Sequence, residues 1–291
     1  MTSVSISAAL GASFAFAGPA WGRAWGVLLV TVWLAAMIQG VALARPDLWP
    51  LNLFGDLVLL AATTAATGAL FRIGVGPDHA GDPRFQLGPA GFNWGGLEWR
   101  VLGANVVVGV TFVVLAIFAI FIWAVVFGVS AATQGVSAEG LQAPAGSAAQ
   151  MQAFLHIIAG PAGVVSIVVA IPLLVGLAFL WAKLSLFAVT AADTGGFNFG
   201  RAWSLTRGAL RALIVSAIVI VIIQMVAGAS AGFVAGVLAG LLGQGVDGGR
   251  LWGGVAGQAA GVSVNIPLFC GLQLFVYRSR RGEVSVAQTF A

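Results

Sequence analysis

The chain has 291 residues, of which 60% are hydrophobic and only 8% charged, with 41 glycines; soluble domains carry roughly a quarter charged residues, so this composition points to a protein built into a membrane. Thirteen Lys and Arg against nine Asp and Glu leave a net charge of +4, too few cations to neutralise a run of phosphates, which excludes nucleic acid as a partner. The single cysteine, Cys270, excludes an internal disulfide and any CxxC pair for zinc or redox work.

From the N-terminus, the first segment is mildly apolar and ends in Ala15-Phe16-Ala17, but no Lys or Arg precedes it as a signal peptide requires. Leu10, Phe14 and Ala17 recur at helical spacing against Ser3, Ser5, Ser7 and Ser13, the pattern of a helix lying in the headgroup plane. Six stretches then reach the roughly 20 apolar residues that cross about 30 Å of hydrocarbon, at about 24–44, 51–71, 101–129, 162–186, 212–243 and 251–277. The polar stretches between them, of which Gly74 to Arg100, Ser130 to His156 and Thr190 to Arg211 are the longest, all fall short of the size of an independent domain, about 50 residues. The expected fold is all-α: one polytopic membrane domain over 1–291 with six transmembrane helices and cytoplasmic interfacial helices.

Cation placement orients this fold. Arg23, Arg72, Arg84, Arg100, Lys183, Arg201, Arg207, Arg211, Arg278, Arg280 and Arg281 fall before the first span or after the second, fourth and sixth, whereas Arg45 and Arg250 fall on the other side. By the positive-inside rule both termini are cytoplasmic and the number of spans is even. Trp25, Trp49, Trp94, Trp99, Trp181, Trp203, Trp252 and Tyr277 lie near the span ends, where amphipathic rings settle at the interface.

The chain also repeats itself. Gly91-Phe92-Asn93-Trp94-Gly95 returns as Gly196-Phe197-Asn198-Phe199-Gly200, and Gly22-Arg23-Ala24-Trp25 as Gly200-Arg201-Ala202-Trp203. Ile171-Pro172-Leu173, Gly176-Leu177 and Lys183 align at a constant offset of 95 with Ile266-Pro267-Leu268, Gly271-Leu272 and Arg278. Three pseudo-repeated helical hairpins follow, at about 1–72, 85–186 and 190–278, with 279–291 as a cytoplasmic tail; because each unit spans twice, the copies share one orientation, unlike the inverted repeats of many transporters.

Pro172 and Pro267 sit roughly 16 Å along the helix from their cationic ends, near mid-bilayer. Each frees a backbone carbonyl that Gln224, Gln258, Asn265 or Gln273 is placed to satisfy. The residues Pro172, Pro267, Asn265 and Gln258, with Asp56 near the outer end of the second span, form a candidate midplane polar site. Gly228, Gly232, Gly236 and Gly240 recur every fourth residue, and Gly253, Gly257 and Gly261 answer on the next span. Such stripes let backbones approach in lipid, so the fifth and sixth spans are expected to pack together.

Catalytic patterns are weak. Gly228-Ala229-Ser230-Ala231-Gly232 matches the nucleophile-elbow string but falls inside the glycine ladder without a histidine at membrane depth. Gly74 to Pro83 is glycine-rich, lacks the GK[ST] ending of a phosphate loop and reads as solvated turns, and its acids with His79 have no metal-ligand spacing. No catalytic residue, metal or cofactor is expected.

The segment Phe197-Asn198-Phe199-Gly200-Arg201-Ala202-Trp203-Ser204-Leu205-Thr206-Arg207-Gly208, with the core Trp203-x-Leu205-Thr206-x-Gly208, resembles a recurrent stretch of the uncharacterised six-helix membrane domain found ahead of some bacterial glycerophosphodiester phosphodiesterases and in related stand-alone membrane proteins. Ile6 to Trp25 looks like the start of the same group. The resemblance implies the six-helix architecture and a bacterial inner membrane, and it carries no catalytic residue; a serine usual before the tryptophan is Ala202 here. As an interfacial helix this segment turns Arg201, Arg207 and Arg211 toward anionic headgroups, each worth about 1 kcal/mol. The functional expectation is a non-enzymatic membrane-organising or accessory subunit whose partners are membrane lipids, other membrane proteins or a second copy. The alternative is a transporter or lipid translocator with its site near Pro172, Pro267 and Asn265.

Overall fold

The computed structural model describes residues 4–133, 151–152, 155 and 159–281; Ser3, most of the predicted loop from Ser130 to His156, and nearly all of the predicted tail lie outside them. The described residues are helical, with no strand. The helices are α1 (Ile6–Ala44), α2 (Trp49–Val75), α3 (Gly96–Thr133), α4 (Pro161–Leu184), α5 (Phe187–Thr194), α6 (Phe199–Leu205), α7 (Leu210–Leu241) and α8 (Gly245–Arg280). Six of these runs are long and apolar enough to cross a membrane.

Two compact units divide the chain, Met1–Val106 with Ala182–Ala291 and, separately, Val107–Trp181. In the first unit α8 is central and packs on α1, α2 and α7. A short link closes α1 to α2, where Pro50 enters in the first helical turn, which tolerates the missing amide. The turn from α7 to α8 passes through Gly243 and Gly245, both with positive φ, which glycine adopts without steric cost. Between α2 and α3 the chain makes three short 3₁₀ turns, Gly76–His79, Pro83–Phe85 and Pro89–Gly91.

The N-terminal segment is helical, as expected, and one side of it is packed inside the first unit. It is the first part of α1, bent at Ala24 (φ −116°, ψ 25°), and its buried stripe is Ala9, Ala12, Ser13, Phe16 and Ala20, whereas Phe14 is half exposed. The reason is packing against α8: a β-carbon on Gly271 would meet Ser13 Cα at 3.0 Å and Phe16 Cβ at 3.1 Å. Small residues matched on both helices set this side of the segment, and the weak serine pattern does not.

The glycine ladder is a seam between backbones. A β-carbon on Gly228, Gly232 or Gly236 would lie 3.0, 2.8 and 3.1 Å from the carbonyl oxygens of Gly257, Gly253 and Gly249. Gly261 instead faces Gln224, and Gly240 has nothing within 4 Å. In lipid, where burying apolar surface is not a driving force between helices, such close approach is what holds the pair.

The Val107–Trp181 unit contains the outer parts of α3 and α4. Val113, Ile117, Phe121, Val168, Ile171 and Leu174 are exposed. Ala116, Ala119, Trp123, Ala170 and Leu177 help line an apolar groove of 340 Å³.

Replacing Gly232 with Val is expected to destabilise the protein by about 1–3 kcal/mol, because the helices must move apart. Gly240→Val should be neutral. Thermal unfolding in detergent checks both, and equal melting temperatures for the two variants would refute the seam.

Candidate functional site

The end of the first unit that carries most of the arginines holds a buried ionic layer. Arg72 lies in the last turn of α2, where a cation complements the free carbonyls, yet it is only 4% exposed. Its terminal nitrogens take both oxygens of Glu98, one at 2.8 Å, and its Nε donates to the Arg84 carbonyl at 3.0 Å. Glu98 is the third residue of α3, the position from which a glutamate reaches back to the amide preceding the helix, and Gly95 N–H donates to Oε2 at 2.9 Å. The carboxylate rests on the backbone of α2: a β-carbon on Gly68 would come within 2.5 Å of Oε1.

A second knot gathers on Asp193, in the last turn of α5. His79 Nε2 is hydrogen-bonded to Oδ1 at 2.7 Å, while Arg281 Nη1 at 3.0 Å and the Tyr277 hydroxyl donate to Oδ2. His79 stacks on Phe85 with ring centroids 4.4 Å apart, and Arg278 Nη2 donates to Asp78 Oδ1 at 2.7 Å. The Gly74 to Pro83 stretch runs as turns with Pro77, Asp78, Ala80, Gly81 and Pro83 exposed, and it is in addition strapped to α5 and α8 by its histidine and its acid. Nearer the solvent, the Arg84 guanidinium and, secondarily, the Arg84 amide hold the Asp82 carboxyl down at about 2. That pair contributes above the ordinary carboxylate range and is lost only as pH falls toward about 2.

Several sequence expectations change here. Asp56, expected near the outer end of the second span, is exposed, whereas Glu98 is fully buried and Asp193 nearly so. Tyr277, expected in an interfacial belt, is fully buried. Lys183 and Arg278, equivalent in the repeat alignment, are 7% and 8% exposed, and the Lys183 ammonium lies 5.1 Å from the Trp203 ring centroid. Burial is possible because each has a partner within the fold.

Of the predicted lipid-facing arginines, Arg201, Arg207 and Arg211 are all exposed, and none forms an ion pair among the described residues. Asn198 caps the short α6 by accepting from Arg201 N–H, and Phe197, Phe199 and Trp203 are 55%, 45% and 38% exposed beside them. Pro267, Asn265 and Gln258 share α8, with Pro267 buried and Asn265 Oδ1 lacking a hydrogen-bond partner among the described residues; Pro172 is exposed and belongs to the other unit. Among the described residues no group of three or more His, Cys, Asp or Glu side chains could hold a metal.

Sequence reasoning missed the pairing of Arg72 with Glu98 and the convergence on Asp193. Gly95-Gly96-Leu97-Glu98 was the available signal, an acid three residues into a helix; nothing local announces a partner 26 positions away.

These features define an all-helical protein with six helices fit to cross a membrane and an ionic layer at one end. Compared with family models, with curated proteins and with solved structures, the chain finds no match.

Glu98→Gln should cost about 3–5 kcal/mol, because it leaves Arg72 buried without its countercharge. Gly68→Ala should destabilise through the same carboxylate, and the Arg72→Leu, Glu98→Leu double variant should lose less than the sum of its two single variants. Unfolding midpoints of the four proteins check this; additive losses would show that the pair is not coupled.

Proposed function

We propose that the protein is a non-enzymatic membrane-organising or accessory subunit, lying in a bacterial inner membrane with both termini cytoplasmic, whose arginine-rich face binds anionic lipid headgroups. The observation that carries this reading is the Phe197 to Arg211 segment: Arg201, Arg207 and Arg211 are exposed without acidic partners next to exposed Phe197, Phe199 and Trp203. Cations that would meet phosphates and rings that would dip below them alternate along one short stretch.

Three diverged hairpins underlie the architecture in this reading. Lys183 and Arg278, equivalent in the repeat alignment, and Arg72, in the last turn of α2 in the more diverged first hairpin, are all buried and all partnered, a shared role that supports common descent of the three units. The resemblance of the same segment to the six-helix domain of bacterial phosphodiesterases agrees with this architecture.

A second reading, a transporter or lipid translocator, is favoured by one observation, the buried and unpartnered Oδ1 of Asn265 beside Pro267. Under that reading Asn265→Leu abolishes flux in reconstituted vesicles.

Replacing Arg201, Arg207 and Arg211 together with Gln should weaken retention of phosphatidylglycerol by about a hundredfold, at roughly 1 kcal/mol per cation. Lipid retention after purification in mild detergent, read by native mass spectrometry, checks it. Unchanged retention would overturn headgroup binding, and labelling of cysteines placed at Thr2 and Ala291 on opposite faces of the membrane would overturn the orientation.

A further inference from the structure

Arg100, one turn into α3, is half-buried, and its guanidinium makes neither an ion pair nor a hydrogen bond with any described residue. It points at the turn that closes α5. Gly195 there has φ +77°, and a β-carbon built on it would lie 3.2 Å from Arg100 Nη1 and 3.7 Å from Arg84 Nη1. The two nitrogens are thus within about 7 Å of each other, an approach of like charges that is unfavourable without a countercharge. Of the acids nearby, one pairs with Arg84 alone and the other is engaged outside the pair, so Arg100 has no countercharge among the described residues. Asp82 binds Arg84 through Nε and Nη2, leaving Nη1 on the Gly195 side, and Asp193 is held by His79, Tyr277 and Arg281.

The frame around the two guanidiniums is fixed. Gly103, one turn further along α3, packs against Phe197, whose ring would lie 2.8 Å from a β-carbon there; the Arg72 to Arg84 carbonyl bond pins the backbone that carries Arg84. Trp94 and Trp99 stand edge to face with ring centroids 5.4 Å apart and are 43% and 61% exposed, the position of side chains that sit among headgroups.

We propose that Arg100 and Arg84, over the Gly195 turn, form a binding site for one phosphate group, that of an anionic phospholipid headgroup or of a free phosphate ester. Phosphate fits because it can accept from the Arg100 guanidinium and from the Nη1 that Asp82 leaves open on Arg84, charge-assisted bonds otherwise unmade. Glycine at position 195 keeps the space open as well as permitting the left-handed turn. The site deepens the headgroup reading given above and rests on it only for the lipid source of the phosphate; it is distinct in residues from Arg201, Arg207 and Arg211.

The test uses the full chain in mild detergent and three variants. In native mass spectra with phosphatidylglycerol, wild type is expected to retain one lipid that survives activation, and Arg100→Gln to lose it with binding about tenfold weaker, at an unchanged melting temperature. Arg100→Lys should restore part of the affinity, as a point charge without the guanidinium fork. The triple Arg201, Arg207 and Arg211 variant should keep that one lipid while losing the weaker ones. Titration of delipidated protein with inorganic phosphate separates the sources: phosphate binding abolished by Arg100→Gln, with no retained lipid, assigns the site to a free ester and still supports it. Retention of the tight lipid and of phosphate by Arg100→Gln overturns the site and leaves the headgroup reading standing, while loss of binding in the triple variant alone has the same meaning.

Discussion

The buried pairing of Arg72 with Glu98 is the constraint on which the arginine-rich end depends. Taking two ions out of water costs several kcal/mol each, and their attraction offsets this only when the remaining donors and acceptors are also satisfied. That condition is met by the two-pronged grip of the guanidinium, by the Arg84 carbonyl on Nε and by the Gly95 amide on the carboxylate. Lysine would supply the charge without the fork. Because the pair joins the end of α2 to the start of α3, and Arg84 lies between them, the connection over residues 76–95 is held at three points; the bonds of Asp78 and His79 then fasten it to α8 and α5. The Pro89–Gly91 turn shows the same economy of space. It fits into the bend of α1 only because Gly26 has no side chain, since a β-carbon there would lie 2.6 Å from Ala90 Cβ.

Away from this end, stability comes from another source. The α7–α8 seam has backbones touching through Gly228, Gly232 and Gly236, a contact that gains dispersion energy in lipid as well as in water. The outer parts of α3 and α4 show the opposite solution, large β-branched and aromatic side chains turned outward. A membrane span may leave such a face against acyl chains at no cost, so exposure of this unit is what the bilayer as solvent allows. The two units thus differ in character, small residues along the α7–α8 seam of one and bulky exposed apolar side chains on the other.

Legibility in the sequence followed the same division. The six spans were readable because a long apolar run has one physical explanation, and the helices α2, α3, α4, α7 and α8 overlap the expected stretches. The facing glycines were readable because a four-residue period marks one side of a helix. The N-terminal segment was readable as a helix but not as a packed one: Ser5 and Ser7 are exposed, while Ser13 joins the alanines and Phe16 on the buried side. The ionic layer stayed hidden for a different reason: Arg72 and Glu98 are ordinary charges at the ends of apolar runs, and only tertiary folding puts them together. Counting such residues as surface cations or solvated acids is the natural reading of a linear string.

That distinction bears on the charge asymmetry itself. The positive-inside rule weighs cations near span ends whether or not an acid neutralises them. Yet Arg72 and Arg278 are buried against Glu98 and Asp78, Lys183 is buried beside Trp203, and Arg84 is bound to Asp82. The exposed arginines on this end that lack an ion pair among the described residues are Arg23, Arg201, Arg207 and Arg211; at the other end Arg45 is paired with Asp47, which leaves Arg250. Discounting the neutralised charges shrinks both sides and preserves the sign of the difference. In the proposed orientation the exposed, unpaired arginines of the richer end are the cations that an anionic leaflet would feel, alongside the half-buried Arg100 and the Nη1 that Asp82 leaves open on Arg84.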